Sequence, residues 1–362
     1  MALITLRELT KVFNETVVAV DKVTLHVPDN AVICILGPSG CGKTTLMRMI
    51  AGLEQPTEGK IFFDDDDVTE LPARERNVAM VFQFPAVYPH LTVRANIAFP
   101  LIAEGVKKDD AIRRAEEVAE SLEISESLDL FPDALDAGAK QKVSIARAIV
   151  RKPRVFLFDE PLSNIDPNMR VDMKSLIKKL SRDVGQTFIY VTHDQSEAMT
   201  LADYIVVMKD GKVLQYGRPE EIYERPGTDF VGWFLGNPGM NFLQVEARKF
   251  ENTWCLVSDH ISIPFDGLKN LETGKRYKIG IRPEHISLVD DPKEVISGIC
   301  DMVEPMGGRK IVHLKVGEDR LRVKVDPNRS ITPGEKVYFS LPPEHIRIFD
   351  IETGRNIPLD AV

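Results

Sequence analysis

The chain has 362 residues, 43% of them hydrophobic and 28% charged. That balance excludes a disordered chain, and the length suggests about two domains. The 46 Lys+Arg against 55 Asp+Glu leave a net charge of −9. This disfavours a general nucleic-acid binder but not a nucleotide site, which needs only local positive charge.

No apolar run approaches the ~20 residues that span a bilayer. The longest, Ala31–Gly37 and Ile97–Ala103, are strand- or loop-sized, and Met1–Arg7 lacks the basic start and apolar stretch of a signal peptide. Cys34, Cys41, Cys255 and Cys300 show no metal-ligand spacing and read as free thiols of a reduced compartment. Any membrane role must then come from docking onto another protein.

In chain order, the first strand expected is Ala31–Leu36. It runs into Gly37-Pro38-Ser39-Gly40-Cys41-Gly42-Lys43-Thr44-Thr45, which fits G-x-x-x-x-G-K-[ST], and then into the helical pattern Thr45–Ala51. This is the strand–loop–helix context of a phosphate-binding loop. The glycines let backbone N–H groups wrap phosphates, and the helix N-terminus favours negative charge. Lys43 is expected on the β/γ-phosphates of a nucleotide and the Thr44 hydroxyl on Mg²⁺. The acidic run Asp64–Asp67 after Lys60–Phe63 reads as a solvated turn at a strand end, since consecutive carboxylates do not converge on one ion.

Asn77–Phe82 is a second buried strand, ending at Gln83, whose neutral amide can touch both Mg²⁺ and an attacking water. Asp109–Glu123 carries apolar residues at helical spacing, suggesting an inserted helical subdomain over about 88–152. Val155–Phe158 ends in Asp159-Glu160. Two acids at the carboxyl end of a strand lie in the ligand crevice of an open α/β sheet. Asp159 would hold Mg²⁺ through water and Glu160 polarise the attacking water as general base; the plain alternative is a salt-bridged loop. His193 follows the strand Phe188–Thr192, with γ-phosphate sensing as its functional reading and an ordinary strand-end histidine as the other. Tyr204–Met208 completes a mostly parallel sheet covered by helices. Beyond Asn237-Pro238-Gly239, short segments at Tyr277–Ile281, Ile299–Val303, Ile311–Val316, Leu321–Val325 and Lys336–Ser340 suggest an all-β module of small-barrel type. The expected domains are 1–235 and 236–362.

The order of P-loop, Gln83, helical insert, Asp159-Glu160, Ser163-Asn164-Ile165-Asp166 and His193 resembles the ATP-binding-cassette ATPases. Phe242-Leu243, Gly280–His285 and Val303–Gly308 resemble the C-terminal regulatory domain of the maltose/sugar-importer subfamily. The resemblance implies a P-loop NTPase fold (RecA-like core with helical insert) plus an OB-like regulatory or dimerisation domain. It implies an ATPase that powers a membrane importer, bound peripherally at the cytoplasmic face of the inner membrane to two permease subunits, fed by a solute-binding protein, with no nucleic-acid partner. Ser163–Asp166 become the D-loop. Phe13 takes the place of the adenine-stacking aromatic, or is a strand-end core aromatic. Phe84–Leu91 would line the groove for the permease's coupling helix, although Tyr88 could equally be surface packing.

The family's signature, L-S-G-G-Q, aligns with Leu135-Asp136-Ala137-Gly138-Ala139, fixed by Phe131-Pro132 before it and Val143–Ala148 after. Asp136 can still cap the helix, but it puts a carboxylate where a phosphate docks. Two like charges at ~4 Å repel by about 1 kcal/mol in water and about 4 at an effective dielectric near 20. Ala137 also removes backbone freedom that glycine allowed. The expectation is an impaired clasp and a second, non-identical ATPase subunit supplying a competent one; the alternative is a tolerated variant in a homodimer. Sugars, polyols such as glycerol, or glycerol phosphates are the favoured solutes, with polyamine, iron or sulfate as alternatives. A regulatory, weakly active ATP-binding subunit, a soluble cassette ATPase of DNA repair or translation, and a small-molecule P-loop kinase are the competing functions.

Overall fold

The computed structural model describes residues 3–250, 253–265, 271–290 and 296–358; the remaining residues of the two expected domains lie outside the described residues. The chain forms two units, Met1–Pro219 and Glu220–Val362.

The first unit opens with β1 (Ile4–Phe13) and β2 (Val17–Val27), then β3 (Val32–Leu36), α1 (Lys43–Ala51), β4 (Glu58–Phe63), β5 (Asp66–Asp67) and β6 (Val78–Val81). The helical insert follows as α2 (Val93–Ala103), α3 (Lys108–Ser121) and α4 (Ala137–Ile149). The chain returns through β7 (Val155–Asp159), α5 (Pro167–Val184), β8 (Thr187–Thr192), α6 (Gln195–Leu201), β9 (Tyr204–Lys209) and β10 (Lys212–Gly217).

Two sheets result. One has the order β10-β9-β3-β8-β7-β6, parallel except for β10, and the other β2-β1-β4-β5, antiparallel. Every residue of β3 and β8 is buried, so these strands read as continuous apolar runs, as parallel strands covered on both faces do. Of the antiparallel sheet the sequence reading found only the end of β4. Its strands mix charges with apolar residues, and bulges between Leu6 and Val12 break the alternation. Ile4, Leu6, Val20, Ile61 and Phe63 still reach a core shared with Ile33, Leu46 and Ile189. The run Ile97–Ala103, sized above as strand or loop, lies within α2.

The insert is pinned locally. Thr92 caps α2 by accepting the Ala95 N–H. The fully buried Asn96 amide donates to Tyr88 O at 3.0 Å and Leu91 O at 2.9 Å, and its oxygen accepts the Tyr88 N–H at 2.8 Å. The acidic turn at Asp64–Asp67 is ion-paired rather than merely solvated: Arg154 reaches Asp64 at 2.8 Å and Asp66 at 3.2 Å, and Lys60 reaches Asp67 at 2.8 Å.

The second unit carries α7 (Pro219–Glu224), α8 (Asp229–Phe234), β11 (Asn241–Phe250), β12 (Thr253–Val257), β13 (Ser262–Phe265), β14 (Arg276–Ile281), β15 (Ser287–Val289), β16 (Ile296–Met306), β17 (Arg309–Val316), β18 (Asp319–Val325), β19 (Lys336–Ser340), β20 (Arg347–Asp350) and β21 (Asn356–Ile357). They form antiparallel sheets of order β13-β12-β11-β14-β20-β21 and β15-β19-β16-β17-β18 around one apolar core. The division between the two units falls at Pro219/Glu220. Arg282, 2% exposed, explains why: its guanidinium donates to Gly232 O at 2.9 Å, to Tyr223 O at 2.6 Å and to Leu235 O, and lies over the Tyr223 ring. Asn356 adds a bond to Pro226 O at 2.8 Å, so both short helices belong with the β module.

Candidate nucleotide site

Parallel register sets the site. Leu36 pairs with Thr192, and Asp159 with Val191, so β3, β7 and β8 end along one edge of the sheet. The next residues in each chain direction are Gly37, Glu160 and His193. Such an edge is where open α/β sheets bind ligands.

The P-loop is held by close backbone approaches. Gly42, at φ 100°, opens α1, and a Cβ there would lie 2.1 Å from Ala19 O. A Cβ on Gly37 would lie 2.3 Å from Met208 O. Gly40 also takes a positive φ. The buried Lys43 ammonium donates to Gly37 O at 2.9 Å and Pro38 O at 3.0 Å, carbonyls of the loop itself. It sits 4.0 Å from the Cys41 sulfur, whose pKa burial pushes up. Cys41 is therefore a packed thiol, and all four cysteines are free.

Thr44 Oγ1 donates to Asp159 Oδ1 at 3.3 Å, joining the first helical turn to the end of β7. Burial raises the Asp159 carboxyl pKa, the Thr44 bond opposes this, and the neighbouring Glu160 charge adds to the rise. A hydroxyl and a partly buried carboxylate are hard oxygen donors of the kind Mg²⁺ takes. Among the described residues no group of three or more His, Cys, Asp and Glu side chains gathers as a protein-only metal site.

Glu160 turns out of the strand with φ 47°, a left-handed conformation costing a non-glycine residue about 1–2 kcal/mol. Its N–H still bonds Val191 O at 2.9 Å, and its Oε2 meets His193 Nδ1 at 3.1 Å. Two hydrogen bonds, Thr44–Asp159 and Glu160–His193, with the chain neighbours Lys43–Thr44 and Asp159–Glu160, thus place these five residues in one line. The Thr44–Asp159 pair forms without Gln83, which is tied through its carbonyl to Asn164 Nδ2 at 3.1 Å. The adjacent carbonyl, Phe82 O, accepts from the buried Gln141 amide at 3.4 Å, a contact from α4 that the sequence did not suggest.

In the loop after β7, Ser163 Oγ donates to Glu160 O at 2.9 Å, Ile165 O accepts from Arg170 at 2.9 Å, and Asp166 caps α5 by accepting the Asn168 N–H at 3.0 Å. Phe13 ends β1 at 36% exposure, with Lys11 Nζ 5.0 Å from its ring centroid. It is a rim aromatic of the hairpin whose Ala19 borders Gly42, not a core one.

Leu135–Ala139 lie at the start of α4, which packs against α2, α3 and β6. Asp136 caps α4, its Oδ1 accepting the Ala139 N–H at 2.7 Å, and its carboxylate is exposed. Ala137 lies in ordinary helical backbone without positive φ, so its loss of glycine freedom stores no strain there. Gly138 is tightly constrained: a Cβ would lie 2.2 Å from Met169 Cε on α5. Of Phe84–Leu91, Ala86 and Tyr88 line a groove of about 420 Å³ with Leu53, Met80, Phe99 and Arg147. Tyr88 is held edge-on by Phe99 at 4.8 Å and stacked by the Arg147 guanidinium at 4.4 Å.

A P-loop on a parallel sheet, facing an acidic pair and a histidine across the strand ends, defines a nucleoside-triphosphate hydrolase, here joined to an all-β module. Residues 20–163 match the ABC transporter family, 236–286 the MalK OB fold domain and 279–349 the TOBE domain. The sulfoquinovosyl glycerol transport ATP-binding protein SmoE of Agrobacterium fabrum is 41% identical over 361 residues, 99% of this chain and 100% of that one. The sn-glycerol-3-phosphate import ATP-binding protein UgpC of Escherichia coli K12 is 40% identical over 357 residues, again 99% and 100%. Among solved structures, the dimeric post-hydrolysis cassette MJ0796 bound to ADP and Pi is 30% identical at TM-score 0.54, covering 60% of this chain and 98% of that one. The cassette cbiO1 of Clostridium perfringens is 25% identical at TM-score 0.58, covering 61% and 90%. This chain belongs to the ABC transporter family, as an ATP-hydrolysing importer subunit, and such subunits are peripheral to the membrane. Among the described residues no helix is long and apolar enough to cross one.

Proposed function

We propose that the chain powers uptake of a sugar, a polyol such as glycerol, or a glycerol phosphate, from the cytoplasmic face of the inner membrane, against two permease subunits supplied by a solute-binding protein. The observation that carries this is full-length similarity to import ATPases for glycerol-containing solutes, together with the line from Lys43 to His193. The groove at Tyr88 and Phe99, apolar and walled by Arg147, suits the permease helix.

Lys43 would leave the loop carbonyls for the ATP β/γ-phosphates, while the P-loop N–H groups and the α1 N-terminus receive the remaining charge. Thr44 and Asp159, with Gln83 nearby in sequence to β6, would hold Mg²⁺, which neutralises phosphate charge when bound. Glu160 orients and deprotonates the attacking water; His193, paired with Glu160, donates to the γ-phosphate as negative charge builds on it. Phe13 stacks on adenine.

The expected non-identical ATPase gains no support from the comparisons, and the dimeric MJ0796 cassette favours pairing of two copies of this chain. Asp136 of one copy would then face the other's γ-phosphate, with its cap bond and exposure lowering the repulsion. Co-expression with the two permeases and binding protein, followed by vesicle uptake of labelled glycerol, glycerol 3-phosphate and sugar glycosides, tests this reading. Uptake that needs internal ATP and fails with Lys43→Ala is expected. ATP-independent uptake, or none of these solutes carried, would overturn it.

A further inference from the structure

Beneath the histidine lies a buried acid that the site described above does not use. Glu197, 4% exposed, sits in the first turn of α6. Its Oε2 accepts the Tyr190 hydroxyl at 3.0 Å and the Thr192 hydroxyl at 2.7 Å, both from β8. Thr192 Oγ1 in turn accepts the Asp194 N–H at 2.9 Å. Asp194 Oδ1 closes the ring by accepting the Ser196 N–H at 2.7 Å and the Glu197 N–H at 3.1 Å. Each hydroxyl has a single proton, and both protons are spent on Glu197. The direction of the network is therefore fixed: Asp194 N–H to Thr192, Thr192 and Tyr190 to Glu197.

His193 is the residue between Thr192 and Asp194. Its backbone is clamped on both sides by this network, while its ring projects outward, 57% exposed, to Glu160. An exposed ring is fixed in direction chiefly by the backbone that carries it. We propose that Glu197 is a positioning residue for hydrolysis, acting through Thr192 to hold the strand end from which His193 reaches Glu160 and the γ-phosphate. Burial raises the Glu197 carboxyl pKa, and its two hydroxyl bonds oppose that rise. A carboxyl kept in the core against that cost is explained by the two donors it serves. Without it, Tyr190 and Thr192 would be buried hydroxyls with no acceptor, a cost that moving the strand end relieves.

The proposal rests on the assignment of His193 to the γ-phosphate. Thr192→Val is nearly isosteric and keeps Tyr190–Glu197 intact; Thr192→Ser restores the hydroxyl. Glu197→Gln keeps an oxygen that accepts both hydroxyls; Glu197→Leu removes it. ATP hydrolysis by the full chain is measured for each, with kcat and KM separated, well below each variant's Tm. Thr192→Val and Glu197→Leu are expected to lower kcat about tenfold or more while KM for ATP stays within about twofold, the pattern of a displaced catalytic group. Thr192→Ser and Glu197→Gln are expected near wild type. If Glu197→Leu does not fold, Thr192→Val carries the test alone. Unchanged kcat in Thr192→Val, kcat and KM moving together, or no recovery in Thr192→Ser would each overturn the proposal. His193→Ala separates the two readings: full activity in that variant removes the role of His193 itself, whereas a His193-dependent rate untouched by Thr192→Val removes only the role of Glu197.

Discussion

Arg76 makes the most quantifiable prediction about the support of the P-loop. Its side chain is 1% exposed and its guanidinium donates to Met49 O at 2.6 Å, Ile50 O at 3.0 Å, Thr69 O at 2.7 Å and Leu71 O at 2.8 Å. Two of these carbonyls close the C-terminal end of α1, the helix whose other end forms the phosphate site. A cation there also complements the helix dipole. Arg76→Ala leaves four acceptors without their donor and opens a cavity. Charged hydrogen bonds contribute about 1.5–3 kcal/mol each, and water entering the cavity recovers part of that, so a net loss of about 3–5 kcal/mol is expected. In a unit of this size each kcal/mol moves Tm by about 2–4 °C, giving a drop of roughly 10 °C. Both tryptophans, Trp233 and Trp254, lie in the second unit. Their fluorescence follows that unit, while far-UV circular dichroism and protection by ATP follow the first. The circular-dichroism transition should fall by roughly 10 °C, with the tryptophan transition moving far less. A shift below about 3 °C would refute the view that Arg76 anchors α1. Arg76→Lys, a point charge reaching fewer carbonyls, should fall between.

Other positions give sharper single readouts. Gly42→Ala should abolish tight ATP binding, because its Cβ would meet Ala19 O at 2.1 Å where φ is already +100°; fluorescent-nucleotide titration checks this. Lys43→Ala should weaken ATP binding about 30-fold or more, with little change in Tm, since its present bonds are only to loop carbonyls. Asp136→Ser keeps the α4 cap and removes the exposed charge, so ATP-dependent pairing measured by light scattering should strengthen several-fold, more at low salt. For Asp67, hydrogen bonds from Lys60 and Thr69 hold the carboxyl at about 2, below its ordinary 3.8. Its stabilisation is therefore present above about 4 and lost as pH falls toward about 2. Urea midpoints of wild type and Asp67→Asn should differ at pH 7 and converge near pH 2.

The nucleotide-binding half of the fold was legible because its elements are locally extreme. β3 and the centres of β7 and β8 are apolar runs, and the residues that matter stand at their ends, so the positions of Gly37–Thr45, Asp159-Glu160 and His193 follow from the sequence. Of the β1–β2–β4–β5 sheet only the end of β4 was legible: positions such as Glu8, Lys22 and Asn14 adopt positive φ within or beside it, and its pairing spans long stretches of chain. The grouping of α7 and α8 with the β module was not legible, because Arg282, far along the sequence, binds carbonyls of those helices, a long-range contact with no local signature. Asp136 was read correctly as a cap, and the glycine freedom lost at Ala137 has no consequence for the backbone there, since that position is plain helix. The supports of the site were missed altogether. Gln141, Glu197 and Arg76 are polar residues whose burial depends on what folds against them, and sequence alone assigns such side chains to the surface.

The most direct test of the catalytic assignment is phosphate release from MgATP by the purified full-length chain, compared with Glu160→Gln under conditions where both bind ATP equally. Wild type should turn over, and the variant should retain ATP while losing at least about 100-fold in rate. Equal turnover by the two proteins would contradict the assignment of Glu160 as the base and, with it, the site built on the line from Lys43 to His193.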